Sequence, residues 1–188
     1  MASTKVGDEE IKFGPFPVTK QVFLKTPHSF GLVNLKPIIP GHILVCPLKP
    51  HRRLTDLSAE ETTDLFTTVQ LTQRMLAKTY FKSADLLAGS FTVAVQDGPE
   101  AGQTVPHVHV HVIPRTKGDV GEQPDEIYVK MAAEEGNVGG ALWDNSQRPR
   151  PGGGMPRIED DDRFARTAED MYDEAEKYKA VLRELGVE

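Results

Sequence analysis

Several features that mark other classes of protein are scarce in this sequence of 188 residues. Cys46 is the only cysteine, which excludes an intrachain disulfide and suits a reducing compartment. No apolar run approaches the roughly 20 residues that cross a bilayer, and residues 1–10 do not resemble a signal peptide. A net charge of −6 argues against a broad nucleic-acid-binding surface. We therefore expect no membrane or nucleic-acid partner and a cytoplasmic location, with the nucleus left open.

Histidine, in contrast, is concentrated in one short segment. Half of the six histidines, His107, His109 and His111, alternate with valine. Side chains alternate between the two faces of a strand, so the imidazoles would share one face at a spacing of about 6.6 Å. The valines would pack the other face into a core. Neutral imidazole serves as a nucleophile, a proton carrier or a metal ligand, so this segment is the candidate active site.

Two other interpretations of the segment stay open at this point. In the first, the histidines have only a structural role, facing solvent or satisfying hydrogen bonds in the core. In the second, two of them at positions i and i+2 hold a metal ion. Against a metal site, the third histidine would overshoot the ion, and no Cys/His cluster elsewhere completes the ligand set. We expect no metal fixed by the protein; tightly bound zinc after purification would favour the other interpretation.

The pattern of the chain predicts an α+β fold. Alternating apolar segments bounded by proline and glycine predict an antiparallel sheet, with strands at residues 21–25, 29–35, 42–48, 90–95 and 107–112. Ser58 and Glu61 form a capping-box pattern ahead of an apolar stripe that predicts one long helix over residues 59–80. Turn-forming and aromatic residues at 13–17 predict a lid over the edge of the core.

The composition also predicts how the chain is divided. A loose tail over residues 1–12 would precede a domain over residues 13–131. Residues 132–158 are rich in glycine and proline and predict a flexible loop. A heptad seam predicts a C-terminal helix over residues 159–188, which would pack either on the body of the protein or on a second subunit.

The residues before the histidines favour a bound phosphate. Gly102, Gln103, Thr104 and Val105 offer backbone N–H groups just ahead of the predicted strand, and such groups can form an anion-binding nest. Gln96 ends the neighbouring predicted strand and can offer its amide to the same oxygens. Without the histidines, this loop would be only a polar hairpin connection.

These motifs together resemble the histidine triad superfamily, in particular its fragile histidine triad branch. The resemblance is carried by Gly-Gln-Thr-Val before the His-Val-His-Val-His-Val segment, by Ser-Phe-Gly-Leu-Val-Asn at 29–34, by Pro-Gly-His-Ile-Leu-Val-Cys-Pro at 40–47 and by Gln-Asp-Gly-Pro-Glu-Ala-Gly at 96–102. It implies a five-stranded sheet, a homodimer, and hydrolysis of diadenosine triphosphate or tetraphosphate to AMP plus ADP or ATP. Magnesium or manganese would arrive with the polyphosphate.

The resemblance also implies roles for the histidines. His109 would attack the α-phosphorus and carry a nucleotidyl intermediate until water hydrolyses it. His107 would orient the nucleophile through backbone contacts. His111 would contact the α-phosphate and carry a proton toward the leaving oxygen. His42 would support these histidines from behind.

Further residues are implied to bind the substrate. Gln96 and Gln103 would contact phosphate oxygens and stabilise developing charge, and Asn34 would hold the ribose. Pro106 departs from the branch, which can have lysine there, and this places the preferred polyphosphate length in doubt.

Two further functions are consistent with the same residues. One is hydrolysis of a nucleoside phosphoramidate or an adenylyl sulfate. The other is nucleotide sensing, in which slow turnover makes the ligand-bound state the signal; rapid product release would disfavour it.

Overall fold

The computed structural model describes residues 10–119, 127–128, 130–131 and 165–187. A short hairpin of β1 (Lys12–Phe13) and β2 (Phe16–Pro17) precedes a five-stranded sheet. The strands of this sheet are β3 (Val22–Lys25), β4 (Ser29–Val33), β5 (Ile43–Pro47), β6 (Ser90–Val95) and β7 (Val110–Arg115). They lie in the order β3-β4-β5-β7-β6, and every neighbouring pair is antiparallel. The predicted α+β fold with a five-stranded antiparallel sheet is confirmed.

The histidine segment differs from its prediction. Regular pairing begins only at Val110, so His111 lies in β7, whereas His107 and His109 precede it. The N–H of Val108 donates to the carbonyl of His51 at 2.7 Å, and that of His107 donates to the carbonyl of Val105. Because these groups bond to loops, residues 107–109 form no ladder with a neighbouring strand.

Two helices cover one face of the sheet. Helix α1 spans Ala59–Tyr80, as predicted, and its capping box is formed by Ser58 and Glu61. Helix α2 spans Ala168–Glu184 and is capped by Thr167. Neither has the length and apolarity of a membrane-spanning segment, nor does any other helix of the described residues.

The predicted boundaries of the chain need two corrections. Lys12, expected in the tail, lies in β1, where it pairs with Pro17. Residues 165–167 are not helical, because Thr167 accepts the N–H of Asp170 as the cap, so the C-terminal helix begins later than residue 159. The loop expected at 132–158 lies outside the described residues.

The C-terminal seam packs on the body of its own chain. Met171, Ala175, Tyr178 and Leu182 are buried in the same core as the α1 stripe and the valines of the histidine segment. The alternating pattern thus directs α2 onto the sheet face that the valines occupy, which decides between the two arrangements left open.

A second, smaller core lies on the opposite face. Phe13 from β1, Phe30 from β4, and Leu44 and Cys46 from β5 meet there with Val105. Burial raises the pKa of the Cys46 thiol well above its usual range. The hairpin of β1 and β2 covers this core, as the predicted lid over residues 13–17 requires.

Candidate active site

The three imidazoles lie on the hairpin side of the sheet, away from the helices. His111 pairs across the ladder with Leu44, a residue of the smaller core. His107, His109 and His111 are all buried, with at most 2% of each residue exposed. The alternative in which they face solvent is therefore wrong. Their enclosure favours the neutral form of each ring, since burial disfavours the charged one.

His107 is fastened to the protein at both ring nitrogens. The N–H of Gly14 donates to Nδ1 at 3.0 Å, so the proton lies on Nε2, which donates to the carbonyl of Pro47 at 2.8 Å. Burial is the main cause that lowers the His107 pKa to about 4. With both nitrogens bonded, the ring joins the β1–β2 turn to β5 and has no nitrogen left for chemistry.

His109 has the opposite arrangement. Its Nδ1 lies 2.8 Å from the carbonyl of His107, and a carbonyl only accepts, so Nδ1 carries the proton. Nε2 therefore holds a lone pair. Burial lowers the pKa of His109, although the hydrogen bond to the His107 carbonyl opposes this shift. The ring is thus a neutral nucleophile at physiological pH. The edge-on ring of Phe13, 5.2 Å away between centroids, helps to hold it.

His111 is oriented by a chain of hydrogen bonds from behind. The N–H of Ile38 donates to Nδ1 of His42 at 3.2 Å, which leaves the proton of His42 on Nε2. That nitrogen lies 3.0 Å from Nδ1 of His111 and donates to it. His111 consequently carries its own proton on Nε2. Burial lowers its pKa well below the ordinary value, with the neighbouring His109 and His42 adding to the shift.

The neighbouring rings of His109 and His111 thus hold complementary states. Their centroids are 5.0 Å apart and the rings are nearly perpendicular. Nε2 of His109 offers an electron pair, whereas Nε2 of His111 offers an N–H hydrogen-bond donor. This pair can attack a phosphorus atom and stabilise the charge on the oxygen that leaves it.

This sequence and this fold are similar to those of known proteins. The model of the HIT domain matches residues 17–118, a span that includes the whole sheet and the histidine segment. This chain belongs to the HIT domain family. The resemblance drawn from the sequence motifs is therefore confirmed.

Relatives of this HIT domain protein include named enzymes. The asymmetrical bis(5'-nucleosyl)-tetraphosphatase of Schizosaccharomyces pombe is 42% identical over 94% of this chain and 96% of its own length. The bifunctional bis(5'-adenosyl)-triphosphatase/adenylylsulfatase of Arabidopsis thaliana is 41% identical over 90% of this chain and 83% of its own. The structure of a Plasmodium falciparum diadenosine triphosphate hydrolase superposes with a TM-score of 0.64 at 28% identity, covering 97% of this chain and 90% of that one.

The loop before the histidines does not form the full nest expected in this HIT domain. The N–H groups of Gly102 and Gln103 close a turn by donating to the carbonyls of Pro99 and Gly98. The side-chain amide of Gln103 donates to the carbonyl of Arg52 at 3.0 Å. The two backbone N–H groups are therefore used within the turn, and the binding roles of Gly102 and Gln103 toward phosphate stay predictions.

Other predicted residues of the HIT domain lie close to the histidines. Val95 pairs with Val110, which makes Gln96 and His109 the next residues along the two strands. Thr104 and Val105 are buried, and Val105 packs in the smaller core with Phe13 of the hairpin. Asn34 is buried as well; its Nδ2 lies 3.2 Å from Nε2 of His42, and its Oδ1 accepts the N–H of Lys36 at 3.1 Å. The roles of these residues toward phosphate and ribose stay predictions.

One supporting residue of this HIT domain, His51, gave no signal in the sequence. The peptide unit between His107 and Val108 accepts the His109 proton at its oxygen and donates its N–H to the His51 carbonyl. The His51 ring lies 3.1 Å from the carboxylate of Glu61 in α1. The peptide that fixes the His109 tautomer is therefore held by the segment after β5.

Glu61 anchors that segment to the first turn of α1. Hydrogen bonds from Lys49, the backbone N–H of Ser58 and His51 lower the Glu61 pKa to about 2. Its charge also suits the N-terminus of a helix. The pattern Ser58-x-x-Glu61 predicted the capping box, but the contacts with Lys49 and His51 depend on the folded chain.

Among the described residues of the HIT domain, no three His, Cys, Asp or Glu side chains are placed to hold a metal ion. The histidine nitrogens of the cluster are instead bonded to backbone groups and to one another. The arrangement fits nucleophilic attack and hydrogen bonding to a phosphate oxygen.

Proposed function

We propose that this protein hydrolyses dinucleoside polyphosphates, with diadenosine triphosphate or tetraphosphate giving AMP plus ADP or ATP. One observation carries the proposal: the His107 carbonyl holds the His109 proton on Nδ1, which leaves Nε2 as a nucleophile beside a proton-bearing His111. The names of the yeast and plant relatives support the substrate class.

The first step forms a nucleotidyl-histidine. The lone pair of His109 Nε2 forms a bond to the α-phosphorus, and the bond from phosphorus to the bridging oxygen breaks. That oxygen keeps the electron pair and leaves as a phosphate anion, to which the Nε2–H of His111 donates a hydrogen bond. His109 is then positively charged, and the hydrogen bond from Nδ1 to the His107 carbonyl stabilises that charge.

The second step restores the enzyme. Water attacks the phosphorus, the phosphorus–nitrogen bond breaks with its electrons returning to His109, and one proton of the water is released to solvent. AMP leaves with the oxygen of water, and His109 regains its starting protonation. The substrate would be the polyphosphate with its magnesium or manganese ion, and Gln96, the residue after β6, would contact a phosphate oxygen through its amide.

Trapping the intermediate tests this function directly. The protein is mixed with diadenosine triphosphate, quenched in alkali to preserve the phosphorus–nitrogen bond, and its peptides are weighed. We expect one AMP on the peptide that contains His109. His109→Asn should bind substrate without forming the adduct. His28→Asn, which removes a histidine outside the cluster, should react like the wild type. Equal turnover by wild type and His109→Asn would contradict the mechanism.

A second candidate, hydrolysis of adenylyl sulfate, is favoured by the bifunctional name of the plant relative. It needs the same attack by His109 on an AMP phosphorus, with sulfate as the leaving group. Comparing kcat/KM for adenylyl sulfate, adenosine phosphoramidate and diadenosine triphosphate separates these activities.

A homodimer is also part of the proposal, and the edge of the sheet supports it. Strand β6 is the outermost strand next to β7 and exposes Val93. Leu86 and Leu87 are exposed just before it, at 45% and 91%. Pairing of two such edges would satisfy backbone groups and cover apolar surface. Sedimentation equilibrium tests it: Val93→Lys should shift the protein to monomer, whereas Phe66→Lys, on the exposed face of α1, should not.

A further inference from the structure

Arg166 joins the C-terminal helix to the turn that carries Asn34. It precedes the cap of α2, and its guanidinium donates through Nη1 to Glu174 at 2.5 Å and through Nη2 to the carbonyl of Asn34. Its backbone N–H donates to the carbonyl of Leu35 at 3.1 Å. One residue therefore holds two successive carbonyl groups at the end of β4.

Glu174 is itself firmly placed. Its other carboxylate oxygen accepts the hydroxyl of Tyr178 at 2.8 Å, and Tyr178 is fully buried in the core against Phe23. The Arg166–Glu174 pair is mostly enclosed, with side-chain exposures of 21% and 15%. Arginine suits this position because its planar fork presents several donors in fixed directions.

The turn that Arg166 holds is in contact with the histidine cluster. The Asn34 amide lies 3.2 Å from Nε2 of His42, and this same nitrogen lies 3.0 Å from Nδ1 of His111. Asn34, His42 and His111 are each about 1% exposed. In such close packing, a displacement of the Asn34 backbone has no free space to be absorbed and must move the rings.

We propose that Arg166 is a positioning residue for the reaction. By holding the carbonyls of Asn34 and Leu35, it presses the Asn34 amide against His42 and so fixes the ring of His111, whose Nε2–H donates to the leaving oxygen. The C-terminal helix thereby sets the direction of this hydrogen bond without touching the substrate. A test by kcat rests on the proposed function, whereas a test by the NMR signals of the histidine rings does not.

The test compares two full-length variants that each remove one ion pair of α2. Arg166→Met breaks the contact with Asn34. Lys78→Met removes the 2.7 Å pair with Glu184, which ties α2 to α1 far from Asn34. With diadenosine triphosphate, we expect kcat to fall about tenfold to a hundredfold in Arg166→Met and to stay unchanged in Lys78→Met. Arg166→Lys, which keeps one donor near the Asn34 carbonyl, should recover part of the loss.

The second readout is the imidazole NMR spectrum of the folded proteins, in which the nitrogen shifts report the tautomers of His42 and His111. These signals should change in Arg166→Met and remain in place in Lys78→Met. Unchanged signals together with a kcat equal to that of Lys78→Met would overturn the proposal. A fall in kcat that only matches a smaller folded fraction, with unchanged signals, would also overturn it.

The two proposals can fail separately. A wild type that forms no AMP adduct on His109 contradicts the proposed function, and the ring signals alone then decide the role of Arg166. A wild type that forms the adduct, beside an Arg166→Met variant with wild-type kcat and ring signals, contradicts only the role of Arg166.

Discussion

The two halves of the histidine segment are built differently. Val110–Arg115 forms β7 and pairs with β5 and β6 on either side, so its backbone is used by the sheet. Residues 105–109 form no ladder and are held by the His51 carbonyl, by Gly14 and by Pro47. His109 is the last residue before regular pairing begins.

This difference explains how the nucleophile obtains its tautomer. In a regular strand, each carbonyl points sideways to a neighbouring strand, away from the side chain two residues on. Since residue 107 is outside the ladder, its carbonyl is able to accept Nδ1–H of His109. The chemistry therefore depends on the departure from strand geometry just ahead of β7.

The largest expected effect tests the strand half of this comparison. His111→Asn should lower kcat for diadenosine triphosphate about a hundredfold to a thousandfold, because the imidazole N–H that stabilises charge on the leaving oxygen is lost. Steady-state kinetics measures it, and His28→Asn, a histidine outside the cluster, is the matched control. A variant that kept more than a tenth of wild-type kcat would remove His111 from the proposed mechanism.

The pH dependence of stability tests the enclosure of both halves. Folding lowers the His107 pKa from 6.5 to about 4, and lowers those of His109 and His111 as well. Below pH 6.5 the histidines of the unfolded chain become protonated, whereas those of the native protein stay neutral. The contribution of these rings to the free energy of unfolding, fully present above pH 6.5, is therefore lost as the pH falls toward 4. His107 alone should contribute about 3 kcal/mol.

Urea unfolding at pH 7 and at pH 4.5 measures this loss. Glu61, with a pKa lowered to about 2, loses its contribution only below its ordinary value of 4.5, so it does not obscure the window of the histidines. A free energy of unfolding that stayed constant between pH 7 and pH 5 would show that the rings are more accessible to protons than their burial indicates.

The upstream half is tested through His107. His107→Leu should lower the free energy of unfolding at pH 7 by about 2–3 kcal/mol, because the buried N–H of Gly14 and carbonyl of Pro47 lose their partner. His109→Leu should cost clearly less, since it breaks one hydrogen bond to a nearby carbonyl of the same segment. Urea titrations compare the two; equal losses would abolish the distinction between them.

The smallest effect concerns the ring that spans His107 and His109. Phe13 lies 5.5 Å from His107 and 5.2 Å from His109 between centroids. Phe13→Leu should lower kcat about fivefold, the rate equivalent of an aromatic contact near 1 kcal/mol. Phe66→Leu removes a ring from the exposed side of α1 and should leave kcat unchanged. An equal change of kcat in both variants would show that the contact between the Phe13 ring and His109 does not affect the reaction.

The sequence predicted the parts of the fold that local pattern controls. Ser58 and Glu61 marked the start of α1, and apolar segments between turn-forming residues marked β5 and β6. The alternation of histidine and valine placed the valines and the imidazoles on opposite sides, which the structure retains. It failed at residues 107–109, where a spacing of two continues although the hydrogen bonds go to loops.

The rest of the site depends on contacts between distant parts of the chain. Gln103 reaches Arg52, Gly14 reaches His107, and Arg166 reaches Asn34 across 132 positions. No local pattern in the sequence specifies these partners. Gln103 resembles a phosphate ligand by residue type, and its contact with the Arg52 carbonyl is one that residue type alone does not indicate.

Cys46 provides an independent probe of local opening in this region. It is the single thiol of the chain, is buried in β5, and precedes the proline whose carbonyl receives the His107 proton. A thiol kept protonated and enclosed is inert to alkylation until its surroundings separate. The rate at which iodoacetamide labels the native protein would therefore report how often the core around Cys46 opens locally. Bound nucleotide should lower this labelling rate.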